Sequence, residues 1–125
     1  MILDTNALSA AAEHDPSALE VVAHAECLAV PVIVLGEYRL EIAQSRYRAT
    51  YENSLRERIS AVRVLDIDVA TTQHYAAIGL ELKNSGKPVP ANDLWIASLC
   101  RQHSLPLLSR GRHFDVVAGL RRIEW

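Results

Sequence analysis

Short apolar runs alternate along the chain with longer segments of helical periodicity. The apolar runs are typical of buried parallel strands and cover residues 1–3, 26–30, 62–67 and 105–108, with a last edge strand expected within 120–125. Helices are predicted from about residue 7 and over roughly 16–25, 32–45, 46–61, 69–84 and 92–102. This alternation predicts an α/β fold, a three-layer α/β/α sandwich with a central, mostly parallel sheet.

Polar residues and glycines mark several helix boundaries. Asp15 is expected to cap the second helix, which begins with a proline, and Asp68 is expected to cap the long helix that Gly86 ends. The polar trio at residues 4–6 should turn the chain after the first strand and cap a helix from about residue 7. Asn92 can cap the helix that follows the proline-rich loop 85–91.

Composition predicts one small globular domain over residues 1–125. Half of the 125 residues are hydrophobic, which excludes a disordered chain, and two domains would each be too short to bury a good core. The longest apolar run, residues 27–35, is far shorter than the ~20 residues of a membrane helix, and no basic segment precedes an apolar stretch at the N-terminus. Cys27 and Cys100 predict neither a disulfide nor a zinc site. We therefore expect a cytoplasmic protein with no membrane association.

Charge is distributed unevenly along the chain. Residues 1–38 contain six acids and no Lys or Arg, whereas 39–63 contain six arginines against three acids and 101–122 contain five against one. Two interpretations remain open. The arginines are either solvated helix faces, or a basic rim around an acidic pocket that acts on a polyanion.

Three acids occupy positions where the local pattern favours an apolar or a functional residue. Asp4 directly follows the first strand, at the end where α/β sheets bind ligands. Glu37 interrupts a mostly apolar helical stripe, and Asp93 shares a helical face with Ile96 and Cys100. Each has an ordinary alternative: a helix cap for Asp4 and Asp93, and a stripe-edge side chain that reaches solvent for Glu37.

Convergence of the three carboxylates would define a hard-metal site. Oxygen donors without Cys or His favour Mg²⁺ or Mn²⁺, and such a cation promotes phosphodiester hydrolysis by orienting water and stabilising the leaving oxygen. Other sites are less well supported, because the glycines are isolated, the histidines lack metal-ligand spacing and Ser109 follows no nucleophile elbow.

Four segments, in this order and spacing, resemble the PIN domain. They are residues 1–6 (MILDTN), Glu37 about thirty residues later, residues 92–97 (NDLWIA), and residues 107–109 (LLS) ahead of His113 and Phe114. Length and motif order look like the VapC toxins of bacterial toxin–antitoxin pairs. The resemblance covers essentially the whole chain.

The resemblance implies a Mg²⁺-dependent endoribonuclease in which Mn²⁺ can substitute. By position, Asp4, Glu37 and Asp93 match the family's catalytic and metal-binding acids. The supporting polar residues would be Thr5, Asn6 and Ser109. The RNA backbone would be bound by arginines of the basic segments, among them Arg39, Arg46, Arg110 and Arg112.

The resemblance also implies partners. Family members usually form homodimers, are silenced by a small VapB-type antitoxin and act on structured RNA such as tRNA or ribosomal RNA. Exposed apolar residues on the helix pair 32–61, such as Leu40, Tyr47, Tyr51 and Leu55, could form a dimer or antitoxin surface, or could equally belong to the core.

One position departs from the family pattern. The acid usually found two residues after Ser109 is replaced by Gly111, and the alternative position, directly before the Phe, holds His113. Asp115 is close by but out of register, so at most a helper role is expected for it. A one-metal nuclease, a weakened natural enzyme and a substitution that relieves toxicity all remain open.

Two other function classes follow from the same residues. Loss of the fourth acid at Gly111 would suit a catalytically weakened PIN-fold protein that binds RNA or an antitoxin. Residues 4–6 (DTN) also faintly resemble aspartyl phosphatases, but those enzymes need a second Asp where this chain has Asn6.

Overall fold

The computed structural model describes all residues from 1 to 125. Its strands are β1 (Ile2–Leu3), β2 (Ala29–Pro31), β3 (Arg63–Leu65), β4 (Leu107–Leu108) and β5 (Arg122–Ile123). Its helices are α1 (Thr5–Ala12), α2 (Pro16–Ala23), α3 (Val32–Ala43), α4 (Arg48–Ile59), α5 (Val69–Asn84) and α6 (Ala91–His103), with a short 3₁₀ helix over Arg112–Val116. The helices flank one sheet, which confirms the predicted α/β class.

All five strands pair in parallel, in the order β3-β2-β1-β4-β5. Ile2 of β1 lies opposite Ala29 on one side and Leu107 on the other. From β1 the chain adds β2 and then β3 on one side of that strand, and then adds β4 and β5 on its other side. Ligands of such sheets bind where the strand order reverses, outside the carboxyl ends of the strands, here beside β1 and β4.

The core is built from the central strands and the helices that cover both faces of the sheet. Ile2 and Leu107 are fully buried, as expected for strands that lie between two helical layers. Phe114 of the 3₁₀ helix is also fully buried. The loop after β4 is therefore anchored in the core at its far end.

The long helix α5 has the predicted boundaries. Oδ1 of Asp68 accepts a hydrogen bond from the Thr71 amide at 3.0 Å, and the Thr71 hydroxyl accepts one from the Asp68 amide at 3.0 Å. Gly86 follows the last turn with φ of +69°, a conformation that glycine adopts without strain. Both signals are local in sequence, which explains why they were predictable.

The start of α1 differs from the prediction. The helix begins at Thr5 rather than at about residue 7, because Oδ1 of Asp4 alone caps it by accepting the Ala7 amide proton at 2.8 Å. Thr5 and Asn6 consequently belong to the first helical turn instead of a turn that precedes the helix.

The start of α6 also needs correction. Pro90 is the N-cap and makes no side-chain hydrogen bond, so Asn92 is not the cap that the sequence suggested. Both Asn92 and Asp93 lie inside the first turn. Neither side chain is therefore required as the helix cap.

The strands are shorter than the apolar runs that predicted them. Glu26 and Cys27 are exposed and precede β2, which extends through Pro31 to the start of α3. The strand β3 lies within the predicted range 62–67 but covers only three residues; it is an edge strand, and its Arg63 and Val64 are exposed.

Apolar residues of the helix pair α3 and α4 divide between surface and core. Leu40 and Tyr47 are 66% and 54% exposed, whereas Leu55 is buried and Tyr51 is half-buried. Only the first two are therefore available as a surface. None of the six helices combines the length and the apolar character that a membrane crossing requires.

Candidate active site

The three predicted acids lie at the carboxyl edge of the sheet, with Asp4 as the cap of α1 and with Glu37 and Asp93 on α3 and α6. Asp4 directly follows β1 and is only 6% exposed. Glu37 lies in the second turn of α3, which follows β2, and is half-buried at the edge of the apolar face rather than within it. Asp93 lies in the first turn of α6, which runs toward β4, and is also half-buried.

The electrostatic environment couples these carboxylates. Burial raises the pKa of Asp4 above its usual value; the charge of Asp93 adds to the rise, while the Ser109 hydroxyl and the Ala7 amide oppose it. Burial likewise raises the pKa of Glu37; the charges of Asp93 and Asp4 add to that rise, while the nearby side chains of Thr5 and Asn92 oppose it. Repulsion of this kind favours a neutralising cation or proton at the site.

Two buried oxygens of the site have no hydrogen-bond partner within the protein. They are Oε1 of Glu37 and Oγ1 of Thr5, the residue next to Asp4. Buried polar atoms are normally satisfied, and exceptions commonly mark functional positions. Asn6, the other predicted supporting residue on α1, is exposed.

The loop after β4 closes tightly around Ser109. This serine is fully buried, and its Oγ accepts a hydrogen bond from the Gly111 amide at 2.9 Å. A Cβ atom on residue 111 would lie 2.7 Å from Cε1 of His113 and 3.2 Å from Oγ of Ser109. Glycine therefore leaves the space in which the His113 ring lies.

His113 contacts the acidic site directly, which the sequence did not predict. Its Nε2 lies 2.9 Å from Oδ2 of Asp93, and its ring packs against Phe114 with centroids 4.5 Å apart. The side chains of His113 and Asp93 are 46% and 25% exposed, so the contact lies at the mouth of the site. The signal available in the sequence was the position of His113 directly before the phenylalanine.

Asp115 does not join the acidic cluster, which corrects the helper role considered for it. Arg122 binds both of its carboxylate oxygens, through Nε at 2.8 Å and Nη2 at 3.0 Å, and these hydrogen bonds lower the pKa of Asp115. Through Nη1, Arg122 also donates to the carbonyl oxygen of Ser109 at 3.0 Å. Arg122 thus ties together the two ends of the loop that carries His113.

Three of the four named arginines already have protein partners. Arg39 pairs with Glu52 at 3.2 Å. Arg46 and Arg110 lie over the rings of Tyr47 and Trp125, with Cζ 4.8 and 4.5 Å from the ring centroids. Arg112, in contrast, is exposed and lies beyond ion-pair distance of any carboxylate.

The donor types at this site suit a divalent cation, but the side chains are not already arranged around one ion. Buried carboxylates with raised pKa values and an unpartnered Glu37 oxygen are suited to a hard cation. No three His, Cys, Asp or Glu side chains converge closely enough to ligate one ion. Cation binding at this site therefore requires side-chain movement.

A separate apolar cavity of about 330 Å³ lies among α1, α2, α3, α4 and the strands β1 and β2. Fourteen of its seventeen lining residues are hydrophobic, and they include Leu8, Ala12, Leu19, Val22 and Leu55. The cavity shares no residue with the acidic site. Its lining is suited to an apolar segment rather than to RNA.

The chain resembles known proteins over nearly its full length. A profile of the PIN domain matches residues 1–120. Ribonuclease VapC2 of Rickettsia felis is 29% identical over 129 aligned positions, which cover 99% of this chain and 96% of that protein. Ribonuclease VapC5 of Mycobacterium tuberculosis is 28% identical over 100 positions, which cover 78% of this chain and 73% of that protein.

Among solved structures, the fold matches a toxin–antitoxin complex. VapBC2 from Rickettsia felis, crystallised with a fragment of its promoter DNA, has a chain that superposes with a TM-score of 0.88 and 26% identity, covering 99% of this chain and 97% of that chain. The family profile and the parallel-sheet architecture agree. The chain belongs to the PIN-domain family.

Proposed function

We propose that this protein is a metal-dependent endoribonuclease of the toxin–antitoxin type, with Mg²⁺ or Mn²⁺ held by Asp4, Glu37 and Asp93. The observation that carries the proposal is the position of the buried Asp4 directly after β1, with Glu37 and Asp93 at the same edge of the sheet and Oε1 of Glu37 without a hydrogen-bond partner. The similar VapC2 of Rickettsia felis and VapC5 of Mycobacterium tuberculosis are named ribonucleases, which supports RNA as the substrate.

The chain's own residues supply positioning and proton transfer. When bound, the cation acts as a Lewis acid that activates water and neutralises charge on the phosphate. The hydrogen bond from the Ala7 amide to Oδ1 restricts the rotation of the Asp4 carboxylate. Oε1 of Glu37 makes no hydrogen bond within the protein, and burial raises the pKa of this carboxylate, so it is suited to accept a proton from water.

Substitution of the acids tests this function. Asp4→Asn and Glu37→Gln should each abolish cleavage of small RNA, because a neutral amide binds the cation much more weakly than a carboxylate and cannot accept the proton. Glu41→Gln is a matched control on α3, where the exposed Glu41 bonds only to the Ser9 hydroxyl at 3.1 Å. Full cleavage by both site variants would reject the proposed site, whereas equal loss in the control would indicate a general defect of α3.

A VapB-like antitoxin is the proposed partner, and the apolar cavity is its proposed docking site. The matching solved structure is a VapBC complex, and a cavity lined by fourteen hydrophobic residues suits an apolar segment. Co-purification with the product of a neighbouring short reading frame tests this. Ala12→Asp, in the cavity, should abolish co-purification, whereas Leu80→Asp, at a residue 60% exposed on α5, should preserve it.

A homodimer is proposed from the resemblance, with the exposed Leu40 and Tyr47 as its surface. Sedimentation of the purified chain would show a dimer. Substitution of both residues by Ser should shift it to a monomer without loss of helical signal.

A second candidate function is RNA or antitoxin binding without turnover. Two observations favour it: His113 pairs with Asp93, and no three metal-ligating side chains converge. It predicts that the chain binds RNA but leaves it intact with either cation. It also predicts that a fourth acid, introduced by Gly111→Asp, restores cleavage.

A further inference from the structure

We infer that His113 is a metal ligand of this site, and that its imidazole nitrogen shifts the site's preference from Mg²⁺ toward Mn²⁺ and other transition-metal ions. The inference rests on the proposed function, because it concerns the cation that the acidic residues hold. It assigns a role to the residue that stands where a fourth acid was expected.

The contact between His113 and Asp93 already has a distance suited to shared coordination. Their facing atoms, Nε2 and Oδ2, are 2.9 Å apart. Adjacent ligands of an octahedral ion at about 2.1 Å lie roughly 3 Å from each other. A cation bound by both atoms would lie to one side of the line that joins them, so coordination requires the ring and the carboxylate to turn toward the ion but not to separate.

The loop is built to hold the ring at this position. Arg122 fixes the loop at Ser109 and at Asp115, on either side of His113. The ring packs on the buried Phe114 and occupies the space beside Gly111 that a side chain would fill. The absence of a side chain at 111 is thus required by the observed position of His113.

The donor set then differs from an all-carboxylate site. His113 supplies a nitrogen donor directed at the acidic cluster, with Nε2 2.9 Å from Oδ2 of Asp93. Imidazole nitrogen binds first-row transition metals better than it binds Mg²⁺, which prefers oxygen. The expected consequence is a higher ratio of Mn²⁺ to Mg²⁺ affinity than oxygen ligands alone would give.

Electron paramagnetic resonance of the full chain with Mn²⁺ alone tests the inference. Titration gives the Mn²⁺ dissociation constant, competition gives that of Mg²⁺, and electron spin-echo modulation detects nitrogen bound to the ion. Wild-type protein should show coupling to one ¹⁴N nucleus. His113→Ala should lose the coupling and at least tenfold in Mn²⁺ affinity, and His113→Glu should lower the Mn²⁺ to Mg²⁺ affinity ratio at least tenfold.

His24→Ala is the matched control. His24 lines a cavity with Met1, Leu105 and Pro106, which precede β1 and β4 and so lie at the opposite end of the sheet. This variant should retain the ¹⁴N coupling and both affinities. Loss of the coupling in this variant would contradict assignment of the nitrogen to His113.

The outcomes separate the inference from the proposed function. Mn²⁺ binding that Asp93→Asn abolishes, but without ¹⁴N coupling in the wild type, would overturn the role of His113 and leave the metal-dependent nuclease intact. Absence of Mn²⁺ and Mg²⁺ binding at millimolar concentration would overturn both. Because His113 is half-exposed, its substitution should preserve the fold, which circular dichroism checks.

Discussion

The His113 ring lies in the space that a side chain on Gly111 would occupy, with Cε1 only 2.7 Å from an ideal Cβ at that position. The residue that replaces the family's usual acid and the residue that reaches Asp93 are therefore coupled. A side chain can be added at 111 only if the ring of His113 turns away. Gly111 therefore allows the His113 ring to adopt its observed position beside Asp93.

Gly111→Ala should consequently weaken metal binding although it removes no ligand. The added methyl group displaces His113 from Asp93, and a roughly tenfold loss of Mn²⁺ affinity is expected, as for other groups that position ligands. Gly36→Ala is the control, because a Cβ there meets no atom within 4 Å. Unchanged affinity in Gly111→Ala would show that the ring relaxes without consequence.

Asp4 has a structural and a chemical role that two substitutions separate. Asn caps helices about as well as Asp, so Asp4→Asn should keep the hydrogen bond to the Ala7 amide and the stability of the fold. Asp4→Ala should lose about 1 kcal/mol of unfolding free energy in urea titrations. Cleavage should vanish in both variants; equal stability of the two would exclude the capping role.

Stability without a cation should depend on pH in a defined direction. The pKa values of Asp4 and Glu37 are raised from 3.8 and 4.5, so protonation of both groups favours the folded state. Their contribution is fully present below the unfolded pKa values and is lost as pH rises through the raised ones. As pH rises from about 4 to 7, the free energy of unfolding of the double variant Asp4→Asn, Glu37→Gln should therefore increase relative to that of the wild type.

A bound cation should make the wild type more stable than the double variant at neutral pH. Mn²⁺ at a hundred times its dissociation constant should stabilise the wild type by about 2.7 kcal/mol. The double variant should show no gain. Thermal unfolding in buffers with and without Mn²⁺ measures both effects, and an equal gain in the two proteins would place the ion elsewhere.

Arg112 should bind RNA more strongly than Arg39 does. Arg112 is exposed and forms no ion pair, although its charge acts on Asp115, whereas Arg39 pairs with Glu52 at 3.2 Å. Arg112→Ala should lower the slope of log affinity against log salt by about 0.7 for single-stranded RNA, and Arg39→Ala should lower it less. Fluorescence anisotropy with labelled RNA in EDTA measures the slopes; identical slopes in both variants would contradict this ranking.

Local signals explain which parts of the fold were predictable. Asp68 and Gly86 set the ends of α5 through bonds and dihedral angles within a few residues, so the sequence located both. The prediction for Asn92 was wrong because this favourable capping residue is the second residue of a helix whose N-cap is Pro90. Periodicity gives no means of choosing between adjacent starts of this kind.

The sequence identified the acidic residues of the candidate site but not the contacts that their side chains make. Asp4, Glu37 and Asp93 stood out because a carboxylate is costly where an apolar residue fits, and their metal-binding roles remain predictions. The contact of His113 with Asp93 joins residues twenty positions apart. It depends on how α6 and the loop after β4 meet at the sheet edge, which no local pattern specifies.

Cleavage of total small RNA by the purified, antitoxin-free chain is the most direct measurement. Discrete fragments should form with Mg²⁺ or Mn²⁺, should be absent in EDTA and should be absent from Asp4→Asn and Asp93→Asn with either cation. Cleavage that persists in EDTA or in these variants would contradict a metal-dependent nuclease at this site. An intact RNA pool, with protein shown to be folded, would instead identify a binding protein.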